Sequence, residues 1–258
     1  MPRFEPVKFP GVDGTTLAGI LDIPDGAARA WAVFCHGFTL GKNSAAASRV
    51  AKALAARGIG VLRYDAAGLG GSTGAWHEGT FGTKIADVVS AARFMRSCGR
   101  PPGLLIGHSL GGAAVLAAAL SVPEAAAVAT IGSPFRPRHV VHLFEHVLDE
   151  VQSRGSAAVT IGRDTFRIRR ELVADLYGTD LSGPIASLGR PLLVLHSPTD
   201  ATVAVENGER IFAAARQPKS FISLDGCDHL LTERWQAERI AALVSSWADG
   251  FLPPAGGN

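Results

Sequence analysis

Thirteen residues from Leu104 read LLIGHSLGGAAVL, and the serine among them is the first candidate for chemistry. Ser109 has one glycine two positions before it, Gly107, and another two positions after it, Gly111. The residues before the serine form a short apolar run without period-2 polarity, as in a strand buried on both faces. Those after it, LGGAAVLAAALS, are alanine-rich with helix-forming leucines. A strand that becomes a helix within about two residues leaves no room for an ordinary loop. Small residues are then needed where backbones converge. The serine at the apex is forced into a strained, exposed turn over the positive end of the following helix. Gly107-His108-Ser109-Leu110-Gly111 is therefore expected to hold a nucleophile. The competing view of Gly103 to Val122 as a membrane span fails on His108, Ser109 and the three glycines 107, 111 and 112.

A serine hydroxyl is a poor nucleophile until a base takes its proton. The base needs an orienting acid, and the developing oxyanion needs donors. His229, in LDGCDHLL, and Asp200, in LHSPTDATV, are the candidates, each just after an apolar strand-like run. Asp225 and Asp228 lie closer to the histidine in sequence, but neighbouring side chains on an extended loop point apart. Asp200 is therefore the expected acid. The oxyanion donors are expected to be backbone amides: Leu110, at the start of the helix after the serine, and Phe38, in the HGF that follows the strand AWAVFCHG. His108, Phe135, His142 and Phe144 are the expected substrate-binding side chains.

The elements that must position these residues alternate. VKFPGVDGTTLAGILDIP reads as two strands around a turn. AWAVFCHG, IGVLRYD, GLLIG, AAVATIG, PLLVLH and KSFISLDG follow as strands, separated by helical stretches such as SAAASRVAKALAARG and ERWQAERIAALVSSWADGF. Such alternation means an α/β fold with a mostly parallel sheet covered on both faces, whose sites lie at the carboxyl ends of the strands. The stretch from about 135 to 188 breaks the pattern. It contains a helix-like HVVHLFEHVLDEVQSRG, a hairpin-like AVTIGRDTFRIRR around Gly162, and ELVADLYG. This is too long and too structured for a loop, and it is expected to be a cap inserted into a single domain spanning 1–258.

Composition narrows the function classes. A hydrophobic content of 47% suffices for a buried core, and a net charge of +2 gives no electrostatic case for nucleic acid. MPRFEPVKFPG carries no apolar signal-peptide core. Cys35, Cys98 and Cys227 form neither a disulfide framework nor a zinc pattern, which points to reduced thiols in the cytoplasm. The tail LPPAGGN reads as a frayed end or linker. A small-molecule ester is the expected partner, with no membrane; the oligomeric state stays open, a homodimer among the options.

In order, HGFTLGKN, YDAAGLGGSTG, GHSLGG, HSPTDATV and GCDHLL resemble the α/β-hydrolase superfamily. Within it the chain is similar to the serine aminopeptidase-like hydrolases and the cinnamoyl/feruloyl esterases. It is most similar to the hydrolase half of bacterial proteins in which a hydrolase is fused to an OsmC-like domain. The resemblance covers nearly the whole chain, HVVHLF and DTFRIRR included. It implies the α/β-hydrolase fold and carboxyl-ester hydrolysis through an acyl-enzyme, without cofactor. The chain departs from many relatives in HSPTD, which lacks a glycine after the histidine; the OsmC-like half is not in the sequence up to Asn258, and a stand-alone form and a piece of a fusion are both open. The alternatives are a peptidase or amidase with the same triad, and a non-catalytic protein that binds a ligand under the cap.

Other patterns compete for attention. HLFEH, with His139 one turn before His142 and His146, has metal-ligand spacing. No downstream acidic ligand helix accompanies it, so no metal is expected. GLGGSTG after a strand hints at a dinucleotide loop, but the third glycine is not at the required spacing. Arg163, Arg167, Arg169 and Arg170 are most simply a solvated cap face, with attraction of an anionic substrate as the second option. Cys227 is expected to be a packing residue.

Overall fold

The computed structural model describes residues 3–252. An antiparallel pair, β1 (Arg3–Pro10) and β2 (Thr16–Ile23), leads into β3 (Ala30–Cys35), β4 (Ile59–Tyr64), β5 (Leu104–His108), β6 (Ala127–Ile131), β9 (Leu192–His196) and β10 (Lys219–Ser223). These eight strands form one sheet in the order β1-β2-β4-β3-β5-β6-β9-β10, parallel from β4 onward. β5, which ends at the serine, lies in its middle.

Side-chain alternation along these strands builds two cores. Val33, Leu105, Val128 and Val194 point to the face that packs with α2 (Phe81–Ser97), α3 (Leu110–Ala118) and Ile211 of α7 (Glu206–Ala214). Phe34, Leu104, Ile106, Leu193 and Leu195 point to the face covered by α1 (Ala45–Ala55) and α8 (Arg234–Ala248). With both faces buried, the strands have no polar side, hence the continuous apolar runs in the sequence. Helix starts are set by local chemistry. Ser44 Oγ accepts from the Ala47 amide at 3.4 Å, and Thr80 and Thr83 form a reciprocal capping box at the head of α2.

The segment between β6 and β9 departs from the expected single helix. HVVHLFEHVLDEVQSRG is two 3-10 stretches, Pro137–Leu143 and Glu145–Val147, followed by the short α4 (Leu148–Arg154). Phe144 interrupts them at φ −140° because its ring is fully buried beneath the chain. The hairpin is as the alternation suggests: β7 (Ser156–Ile161) pairs antiparallel with β8 (Asp164–Arg169), with Ile168 buried and Arg167 exposed. Helices α5 (Arg170–Gly178) and α6 (Ser182–Ala186) complete the segment. The tail after Leu252 lies outside the described residues.

One buried ion pair ties the antiparallel edge to the parallel sheet. Arg63 Nε on β4 donates to Asp22 Oδ2 on β2 at 2.6 Å, both side chains 3% exposed. The same guanidinium donates to the Lys42 carbonyl at 2.6 Å and to Asn43 Oδ1 at 3.1 Å. Removing one member of a buried pair strands the other charge without water. Asp22→Ala is therefore expected to lower unfolding free energy by about 3–5 kcal/mol, read in urea as a lower midpoint with an unchanged slope.

Candidate active site

The turn at Ser109 is as tight as the two glycines require. Ser109 adopts φ 53°, ψ −128°, outside the regions open to ordinary L-residues. Its amide donates to the Ile131 carbonyl on β6 at 2.9 Å, and its own carbonyl accepts from Gly112 N at 2.8 Å. A Cβ at Gly107 would overlap the Gly111 carbonyl, and one at Gly111 would overlap the carbonyl oxygens of Cys35 and His36. The first turn of α3 is therefore pressed onto the end of β3. The hydroxyl stands over that turn, where the free amides and the helix dipole favour negative charge.

Two loops bring the other side chains to it. His229 follows β10 and Asp200 follows β9. His229 Nε2 lies 3.1 Å from Ser109 Oγ, and His229 Nδ1 lies 2.7 Å from Asp200 Oδ2. The carboxylate on one side fixes the proton on Nδ1, which leaves Nε2 as an acceptor for the serine proton. Burial pushes the Asp200 carboxyl up, but His229 and the Val203 and Thr202 amides outweigh it, so its pKa lies below the usual carboxylate value. Both amides reach Asp200 Oδ1 at 2.9 Å, leaving Oδ2 to the imidazole. The arrangement can deprotonate a serine hydroxyl, hold the resulting imidazolium, and return its proton to a leaving group.

A family profile for the alpha/beta hydrolase family matches residues 32–243, which include all three side chains. The chain belongs to the alpha/beta hydrolase family. The esterase domain of a Rhodothermus marinus protein is 42% identical to this hydrolase, with a TM-score of 0.80 over 97% of this chain and 100% of that one. Est1E from Butyrivibrio proteoclasticus, solved with ferulic acid bound, superposes with a TM-score of 0.77 at 17% identity, covering 95% and 98% of the two chains. Dienelactone hydrolase from Anabaena variabilis gives 0.69 at 20% identity over 98% and 99%. These last two share the fold. No curated protein matches the chain.

In this hydrolase two further histidines flank the pair. His108 is fully buried, with Nε2 2.7 Å from the His229 carbonyl and its ring 5.1 Å from the His229 ring. Burial, helped by the charge of His229, pulls its pKa down to about 4. His196 is equally buried; its Nε2 bonds the Val203 carbonyl at 2.8 Å and lies 3.9 Å from Asp200. Burial lowers its pKa too. Both rings are thus neutral, and each must carry its proton on Nε2, because a carbonyl can only accept. The motif suggested His108 as a substrate ligand; the structure places it behind the His229 backbone.

Of the remaining expected residues, Phe38, Leu110 and Phe144 lie on the serine side, and Phe135 and His142 have other partners. Gly37 abuts the serine: a Cβ there would sit 3.3 Å from Ser109 Cβ, so Phe38 begins beside the hydroxyl. Phe38, half-buried, packs against Trp76 and Phe144 at ring distances of 5.5 and 5.9 Å, and Trp76 against Phe166 at 4.7 Å. Phe38 and Leu110 open onto a cavity of about 40 Å³ whose walls include Trp76, Phe81, Lys84 and Leu172. Phe135 is buried with Arg210 stacked over its ring. His142 is exposed and bonds the His139 carbonyl, while His139 Nε2 bonds the Thr202 carbonyl at 3.0 Å. The 3-10 geometry brings the His139 and His142 rings edge to face at 5.0 Å, and the break at Phe144 interrupts the spacing to His146. Among the described residues no three metal-ligating side chains converge. Nor is any helix there long and apolar enough to cross a membrane.

The glycine-rich GLGGSTG wraps a carboxylate of the chain itself. Asp65 accepts from the Lys42 and Gly71 amides, each at 2.8 Å, and from the Lys42 ammonium. Gly70, at φ +52°, passes so close that a Cβ would overlap Asp65 Oδ2. Arg167, Arg169 and Arg170 bond Ser156, Glu171 and the Gln152 carbonyl within their own segment, and Arg163 is exposed on the hairpin turn. Cys227 is buried, which raises its thiol pKa.

Asp225 accepts from Ser223 Oγ, and Asp228 from the Leu230 amide at 2.9 Å and the Thr232 hydroxyl at 2.6 Å. Partial burial raises the Asp228 pKa, yet the bonds from Thr232, Gln236 and Leu230 outweigh it and leave the value below the usual 3.8. A carboxyl depressed in the folded state adds stability above its unfolded pKa and loses it as pH falls through the folded one. Asp228→Asn is therefore expected to melt below wild type at pH 7. The gap should close as pH drops below about 4, when wild type has lost the same charge; melting curves across pH 3–7 check this.

Proposed function

We propose that this protein is a serine hydrolase that cleaves small to medium carboxylic esters through an acyl-enzyme. The observation that carries the proposal is the chain of hydrogen bonds from Asp200 through His229 to Ser109, 2.7 and 3.1 Å long, ending on a strained elbow. Ser109 attacks the ester carbonyl while His229 takes its proton and then hands it to the departing alcohol. Asp200 balances the imidazolium. The Phe38 and Leu110 amides receive the oxyanion. Water then enters, His229 acts as base again, and the acid leaves. The Rhodothermus marinus neighbour at 42% identity is an esterase domain, which supports this chemistry.

The cavity bounded by Phe38 and Leu110 is read as the acyl pocket, and the 135–188 segment as a cap over it. Its volume of about 40 Å³ has room for about three water-sized groups. Acyl chains of about two to four carbons fit such a space better than long ones.

Ser109→Ala is expected to fold normally and to lower kcat by on the order of 10⁶. A fluorophosphonate should label wild type and not this variant; persistent labelling would refute the assignment. Asp200→Asn should lower kcat by roughly 10⁴, through loss of the tautomer and of the imidazolium's partner.

Chain-length preference tests the pocket. On p-nitrophenyl esters, acetate to butyrate should outpace octanoate. Phe144→Ala removes the ring behind Phe38, so it should raise relative activity on the longer chains. A uniform loss at every length, with a lowered melting temperature, would mean damaged packing instead. Release from aminoacyl arylamides in place of esters would make the protein a peptidase.

A further inference from the structure

The proposed mechanism leaves one buried cation without a task. Lys84 lies in the second turn of α2 and is 7% exposed. Its ammonium donates to the Gly37 carbonyl at 3.2 Å. His36 Nδ1 reaches the same oxygen at 2.8 Å. His36 can only be the Nδ1–H tautomer, because its Nε2 accepts the Ala66 amide at 3.1 Å. One carbonyl oxygen thus collects two buried donors, one of them charged.

That carbonyl belongs to the peptide unit whose N–H is that of Phe38. The unit is planar and trans, so its C=O and N–H point in opposite directions. Drawing the oxygen inward toward Lys84 and His36 turns the Phe38 N–H outward. A cation on the oxygen also draws electron density from the nitrogen, which makes the N–H a stronger donor, as along any chain of polarised hydrogen bonds. The unit abuts the nucleophile, since a Cβ on Gly37 would lie 3.3 Å from Ser109 Cβ. We infer that Lys84 is a positioning residue that orients and polarises the Phe38 amide as an oxyanion donor, a step that rests on the proposed serine-hydrolase chemistry.

The surroundings keep the cation in place. Asp87, one turn further along α2, is 1% exposed, and its Oδ1 has no hydrogen-bond partner among the described residues. Its Oδ2 accepts the Ala67 amide at 3.0 Å. Burial raises its pKa to about 6, against the opposing pull of that amide and of Lys84. Ionised at neutral pH, it offsets the lysine charge without taking the ammonium away from Gly37.

The test uses the whole protein with p-nitrophenyl acetate and a short alkylboronic acid, which forms a tetrahedral adduct on the serine. Lys84→Met should lower kcat by about 10- to 100-fold, short of the full cost of about 10²–10³ for deleting an oxyanion donor. KM should stay within about threefold, because the oxyanion exists only beyond the ground state. Boronic-acid inhibition should weaken in step with kcat, and the Phe38 amide proton should move upfield in the NMR spectrum. Lys84→Gln keeps a donor without charge and should fall between wild type and Lys84→Met, while Lys84→Arg should recover most of kcat. If Lys84→Met fails to fold, the Gln and Arg variants carry the same comparison. An active wild type whose kcat and boronic-acid affinity are indifferent to the charge at 84, or equal losses in all three variants that track melting temperature, would overturn the inference alone. A wild type that neither hydrolyses esters nor takes a fluorophosphonate at Ser109 would overturn the underlying function, and the inference with it.

Discussion

The backbone at Ser109 is held at φ 53°, ψ −128°, a conformation that costs of order 1–3 kcal/mol and persists only where the surroundings leave no alternative. Here they leave none. Two strands grip the turn: Ile131 takes the serine amide, and the carbonyls of Cys35 and His36 press on Gly111. The strain is paid for by the sheet, whose central strands are buried on both faces. In return the serine side chain stands clear of its own backbone, and α3 begins directly beneath it. If the chain relaxed toward an ordinary loop, hydroxyl, helix end and neighbouring strand would lose register together.

The base and acid depend on that same frame. Asp200 and His229 sit on separate loops, yet both loops are tied to His196 at the end of β9. Its ring holds the Val203 carbonyl, and its own carbonyl accepts the Leu224 amide at 2.8 Å. Asp200 Oδ1 is saturated by two amides, which removes any rotamer in which the carboxylate turns from the imidazole. His108 completes the setting by holding the His229 carbonyl. Because burial keeps His108 and His196 neutral, neither adds a repelling charge beside a forming imidazolium. A buried neutral histidine here works as a hydrogen-bonded strut.

How much of this was legible in the sequence follows from the range of the forces involved. The elbow could be read because its constraint is local: a strand, a turn and a helix within a dozen residues demand glycines at fixed offsets. The β7–β8 hairpin could be read because Phe166, Arg167, Ile168 and Arg169 alternate. The 3-10 stretch could not, since HVVHLFEH carries helical spacing and only the burial of Phe144 breaks it. Lys84 and Asp87 were invisible for a related reason. They share a face of α2 with the buried Phe81, Val88, Ala91 and Met95, and what makes charge tolerable there is the loop backbone of Gly37 and Ala67, distant in sequence. GLGGSTG, whose glycine spacing argues against a dinucleotide loop, does admit an anion, the carboxylate of Asp65.

These features share a physical cause. The loops after β3 and β4 must run beside the serine as irregular backbone under protein, where every buried N–H and C=O needs a partner. Strand ladders cannot supply them there, so side chains do. The Lys42 and Gly71 amides go to Asp65, the Ala67 amide to Asp87, the Ala66 amide to His36, and the Gly37 carbonyl to His36 and Lys84. Ionised partners suit this work because charge-assisted bonds are about twice as strong as neutral ones and fix direction as well as distance. The cluster of buried charge on this side of the serine thus follows from shaping the loop, whatever else it does. The loops after β9 and β10 meet the same demand with Asp200, His196 and His108, and there one of the structural partners is also the acid of the proposed reaction.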